Sequence, residues 1–142
     1  MNARMFALVS GIVYLLVGLL GFVFTGTSMA AGPDAPRLLG LFPVNLLHNI
    51  VHLAIGAWGL ASYRSFDGSV AYARGLAIFY GLLAIMGLLP APFNNTFGLV
   101  PIFGHDVWLH ALTALIAAYF GFMAPRETAE VVDASRRRRT GA

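Results

Sequence analysis

Two short stretches hold most of the side chains able to do chemistry in this chain: "NLLHNIVH", residues 45–52, and "HDVWLH", residues 105–110. At about 100° per residue, a helix places Asn45, His48 and His52 on one narrow face, with Asn49 at its edge. The same rotation places Asp106, His110 and Thr113 on one face of a later helix and leaves His105 off it. His48 and His52 stand four residues apart, so their imidazoles occupy adjacent turns. Together with Asp106 and His110 they form a set of three histidines and one carboxylate. Such nitrogen and oxygen donors suit a divalent transition metal such as zinc, iron or copper(II). Asn45, Asn49 and Thr113 would then stand behind the ligands and fix their tautomers.

Two other readings use the same residues. His52 and His110 would serve as the axial pair of a b-type haem, although Arg37 is the sole basic side chain on that side to meet its propionates. Alternatively, the imidazoles and amides are glue between helices, each contact worth about 0.6 kcal/mol. Two helix N-termini, whose dipole ends are positive, count against a cation, and Asp106 offsets them in part. A histidine beside a carboxylate is also a general-base arrangement. Thr113 is the sole nucleophile on these faces, however, so a hydrolase is not indicated and a non-enzymatic role is favoured. A proton relay would need polar groups in the far halves of the helices, where the sequence has almost none. The absence of cysteine excludes thiolate chemistry, disulfides and Cys-type metal sites.

These residues sit in segments of unusual composition. The chain is 58% hydrophobic and only 11% charged, whereas a soluble domain carries about 25% charged residues. Four apolar runs are expected to cross a membrane, over residues 5–24, 44–63, 71–90 and 106–124. The third is the shortest and is expected to recruit Val70–Arg74, with Arg74 reaching to the headgroups. Ser28-Met29-Ala30 resembles a leader-cleavage site, but the run before it is too long for a usual leader core. The reading is an all-α integral membrane protein, a four-helix antiparallel bundle over residues 1–125.

Every basic residue but Arg37 falls on one side of that arrangement: Arg4, Arg64, Arg74, Arg126 and Arg136 to Arg139. By the positive-inside rule both ends are cytoplasmic, and the first and third loops face out. This places both polar clusters in the outer leaflet of a bacterial inner membrane. Residues 126–142 read as a basic, largely disordered tail. Arg136, Arg137, Arg138 and Arg139 anchor it and attract anionic lipid headgroups, at about 1 kcal/mol per arginine near the surface. The basic charge is confined to this tail, so nucleic acid is not an expected partner; the bilayer is, and a larger membrane complex is an open alternative.

Small residues four apart occur in each run: Ala7/Gly11, Ala57/Ala61, Ala77/Gly81 and Ala117/Gly121. Such pairs let helices approach closely in lipid. Asp67-Gly68 is a turn signal, Leu38–Phe42 reads as an interfacial stretch, and Pro43 is the expected start of the second helix. "GLFPVNLLH" at 40–48 also echoes "GLVP" at 98–101 followed by "DVWLH" at 106–110. This hints at an internal 2+2 repeat that relates the second helix to the fourth, with their polar faces turned to each other.

"LLGLFPVNLLHNIVHLAIGAWGL" followed by "FGLVPIFGHDVWLHALTALIAAYFGF" resembles a small bacterial four-helix membrane family described as domain of unknown function 4383. The N-x-x-H-N-x-x-H pattern falls at Asn45, His48, Asn49 and His52, and D-x-x-x-H at Asp106 and His110. The similarity runs from about Phe6 to Phe122. It implies a bacterial inner-membrane protein with no assigned activity, and it supplies no substrate or cofactor. The functional expectation is therefore a small accessory or scaffold protein whose polar cluster locks the helices, with metal or haem binding as the alternative.

Overall fold

A computed structural model describes residues 2–123 and 138–139. The expected tail, including Arg136 and Arg137, lies mostly outside the described residues; Arg138 and Arg139 are exposed. Four helices make up most of the rest. α1 spans Ala3–Thr25, α2 Leu46–Ser62, α3 Phe66–Leu88 and α4 His105–Ala118, the last continuing as a π-turn over Tyr119–Met123. α1, α3 and the stretch His105–Met123 are long and apolar enough to cross a membrane, and α2 is a shorter apolar helix. Their outward faces carry bare aliphatic side chains: Leu16 is 61% exposed, Val23 78%, Ile78 68% and Leu115 70%. Apolar surface on this scale needs a cover, which a bilayer supplies.

Side-chain caps set three of the helix starts. The Met5 N–H donates to Asn2 Oδ1 at 3.0 Å, the His48 N–H to Asn45 Oδ1 at 2.9 Å and the Gly68 N–H to Ser65 Oγ at 3.1 Å. Each satisfies a donor that the first turn leaves open. These caps correct two boundaries. Pro43 does not open α2; it lies in a small hairpin in which β1 (Arg37–Leu38) pairs antiparallel with β2 (Phe42–Pro43). The stretch expected at the interface is this hairpin. Its tip places Leu39 and Gly40 at φ 53° and 72°, a left-handed reversal. Asp67-Gly68 does not turn the chain either. Ser65 starts α3 earlier than its hydropathy suggested, so Asp67 stabilises the positive end of the helix, and the reversal falls at Tyr63–Ser65.

α2 packs back along α1, α4 along α3, and α3 also touches both α1 and α2. α2 and α4 turn their polar faces to each other without being neighbours: among the described residues they bring no Cα atoms within 8 Å of one another. They meet only through long side chains across the interior. Small residues govern the α1–α2 contact. A Cβ on Gly56 would lie 2.9 Å from the Gly11 carbonyl oxygen and 2.8 Å from the Leu15 nitrogen. Ala7 and Gly11 thus meet Gly56 and Gly59, whereas Ala57 and Ala61 face outward. Near the other end of α4, Arg74 does not simply reach for headgroups. Its Nε donates to the Gly121 carbonyl at 2.8 Å, an oxygen inside the π-turn, where the helical bonding pattern is interrupted. Arg4 similarly donates to the Tyr63 carbonyl at 3.0 Å, at the negative end of α2.

Asn45 joins three segments. Besides capping α2, its Nδ2 donates to the Leu99 carbonyl at 2.7 Å and to the Met29 carbonyl at 3.4 Å, so it ties both long loops to one helix start. Asn45→Asp keeps the cap acceptor and loses the donor; Asn45→Ala loses both. Thermal unfolding in detergent is expected to rank wild type above Asn45→Asp above Asn45→Ala, with about 1–2 kcal/mol lost at the cap. Equal stability of wild type and Asn45→Asp would show that the tie to Leu99 contributes nothing, and equal stability of the two variants that the cap contributes nothing.

Candidate functional site

The first turns of α2 and α4 carry the polar residues, at the end of the molecule where the two long loops join. Asn45, His48, Asn49, His52, Asp106 and His110 are all buried. His105 opens α4 and is exposed, off the polar face as expected.

The imidazoles belong to a closed ring of aromatic contacts drawn from all four helices. Tyr14 of α1 lies 5.5 Å from His52, ring centre to ring centre. His52 lies 4.5 Å from His48, and His48 lies 6.1 Å from His110. His110 lies 4.9 Å from Tyr80 of α3, and Tyr80 closes the ring on Tyr14 at 5.6 Å. Tyr14 and Tyr80 were not anticipated. The available signal was their type: a tyrosine inside an otherwise aliphatic span carries a hydroxyl that must find a polar neighbour.

Within the ring, three of the four proposed ligands converge. One donor atom each from His48, Asp106 and His110 lies within 4.8 Å of the others. A tetrahedral zinc site with bonds of about 2.1 Å separates its donors by roughly 3.4 Å, so modest side-chain rotation closes the set. His52 is not part of the converging group. Asp106 Oδ2 lies 3.5 Å from His110 Nε2, longer than a good hydrogen bond.

The asparagines do not support the imidazoles. Asn45 is committed to the α2 cap and the loops, and Asn49 Nδ2 donates to Thr25 Oγ1 of α1 at 2.8 Å. The role of fixing tautomers is corrected for both. Their side chains turn towards loop and α1, because an N-cap residue must face its own first turn and Asn49 sits at the edge of the polar face. Thr113 lines a cavity together with His52, Asp106 and His110.

The consequence is a set of buried polar atoms with no hydrogen-bond partner among the described residues: Nδ1 of His48, His52 and His110, Asp106 Oδ2 and Asn49 Oδ1. An unsatisfied buried group costs about 1–3 kcal/mol, so this clustering at one point needs an explanation. Two cavities flank it. One of about 370 Å³ lies between α1 and α4. Another of about 170 Å³ lies beneath Thr96–Ile102, against α2 and α3. His52, Tyr80 and His110 line both. His52 and His110, the pair considered for haem, therefore share a cavity wall.

Compared with known families, residues 4–123 match the model described as domain of unknown function (DUF4383). The chain belongs to the DUF4383 family. The match spans all four helices and both histidine-bearing stretches, so the site is part of the DUF4383 domain. No curated protein and no solved structure gave a match.

Proposed function

We propose that this DUF4383 protein is a four-span protein of the bacterial inner membrane that holds a divalent transition-metal ion through His48, Asp106 and His110. The observation that carries this reading is the convergence of three buried donor groups, each with an atom that has no hydrogen-bond partner among the described residues. Interhelical glue demands the opposite: short direct bonds among the imidazoles, amides and carboxylate. Asn45 bonds to the loops, Asn49 joins α2 to α1 through Thr25 and not to the imidazoles, and Asp106 and His110 stand 3.5 Å apart. Two neutral imidazoles and one carboxylate suit zinc and its neighbours. The carboxylate offsets the positive ends of α2 and α4, and the fourth coordination position is left to water or a small molecule, as in open zinc sites.

Orientation belongs to the same proposal. Arg4, Arg64 and Arg74 lie at the ends of helices opposite the histidines, and Arg37 lies on the histidine side, 6.0 Å from the Phe103 ring. With the basic end cytoplasmic, the metal site lies in the outer leaflet and the arginine tail faces anionic lipid.

The test is elemental analysis of protein purified in detergent, followed by titration with cobalt(II) and zinc. One equivalent of bound metal, with the visible absorption of four-coordinate cobalt that zinc abolishes, is expected. Protein that retains no metal and takes up neither ion would end the reading.

A further inference from the structure

The larger cavity has the shape and chemistry of a site open to the membrane. α1 and the far end of the fourth helical segment touch where Phe6 stacks on Phe120, ring centres 4.8 Å apart. Along α4 itself, no Cα of α1 lies within 8 Å. The two helices therefore bound a wedge. Its walls are aliphatic, and the rims, Val13 on α1 and Leu109 on α4, are 49% and 45% exposed on the surface that faces lipid. Its base is polar and aromatic: His52, Asp106, His110 and Thr113 line it beside the rings of Tyr14 and Tyr80.

We propose that this cleft binds a neutral, lipid-soluble molecule with a planar oxygen-bearing ring, of the quinone class. The volume of about 370 Å³ lies in the range of small-molecule pockets, about 300–1,000 Å³. It accommodates a ring head while a tail passes between Val13 and Leu109 into the bilayer. Three features select the head. The flanking rings of Tyr14, His52, Tyr80 and His110 favour a flat partner by stacking. The hydroxyl-bearing residues Ser10, Tyr14, Tyr80 and Thr113 and the imidazole of His52, which line the cleft without belonging to the metal set, match ring carbonyl or hydroxyl groups. Among the described residues no arginine or lysine lines the cleft, so a phosphate or carboxylate head would be buried without a counter-charge, which is costly. A plain acyl chain would leave the polar base unsatisfied.

This inference goes beyond the metal reading and is tested apart from it, on protein stripped of metal by a chelator. The probe is decylubiquinone, titrated into detergent-solubilised protein and followed by native mass spectrometry, with palmitate as the comparison. Wild type is expected to take up one quinone saturably and palmitate at least tenfold more weakly. Val13→Trp and Leu109→Trp, which fill the mouth from opposite walls at half-exposed positions, are each expected to weaken quinone uptake at least tenfold. His52→Leu, at the base, is expected to do likewise. Both tryptophan variants should bind zinc as wild type does, which separates failure of this site from failure of the metal centre. Quinone uptake without saturation, uptake by both tryptophan variants equal to wild type, or palmitate bound as tightly as quinone would each overturn the proposal.

Discussion

His110→Ala is expected to abolish stoichiometric zinc binding, His48→Ala and Asp106→Asn to weaken it more than about 100-fold, and His52→Ala to leave it nearly intact. The loss for a ligand should exceed the 10–100-fold typical of a residue that merely supports one. The pattern discriminates because burial alone does not predict it. All four side chains are buried, and His48 and His52 are adjacent on one helix face. Among the described residues, only His48, Asp106 and His110 bring donor atoms within 4.8 Å of one another. Exposed His105 is the control for adventitious binding, and His105→Ala should change nothing. Thermal unfolding gives a second readout: zinc at 100 times its dissociation constant should stabilise wild type by about 2.7 kcal/mol and leave His110→Ala unmoved. If the four substitutions weaken zinc equally, or none does, the ion sits elsewhere.

The helices were legible in the sequence because hydrophobic runs and caps act locally. The α2 and α4 polar faces followed from rotation per residue alone, and His48, Asp106 and His110 do meet. What rotation cannot supply is which helix lies beside which. α2 packs on α1 through Gly56 and Gly59, and α4 on α3, so the two histidine helices stand apart and reach each other only by side-chain length. The gap that this leaves is filled by Tyr14 and Tyr80, from helices that a two-helix picture omits. Asn45 failed for another reason. A cap residue has two rival uses for its side chain, and the backbone donor next to it in sequence wins over a ring nitrogen held by another turn.

Two identical substitutions on different helices should separate by roughly 3 kcal/mol, because one glycine carries a helix contact and the other does not. At Gly56 an added Cβ would meet Leu15 Cγ at 2.7 Å, the Leu15 nitrogen at 2.8 Å and the Gly11 carbonyl oxygen at 2.9 Å. Two of these atoms are backbone and cannot rotate away, so α1 and α2 must separate, and overpacking of this kind costs about 1–3 kcal/mol. At Gly81 the nearest atom is Ala114 Cβ at 3.9 Å, ordinary contact distance. There the substitution removes a poor helix former and adds packing, a gain of about 0.5–1 kcal/mol. Unfolding in mixed micelles of increasing dodecyl sulfate, followed by helicity, should therefore place Gly56→Ala well below wild type and Gly81→Ala at or above it. The separation of α1 from α2 also moves Tyr14 relative to His52, so Gly56→Ala should perturb the ring of aromatic side chains even in conditions where the helices remain folded. Equal midpoints for the two variants would mean that the close approach of Gly11 and Gly56 is not what holds α2 against α1.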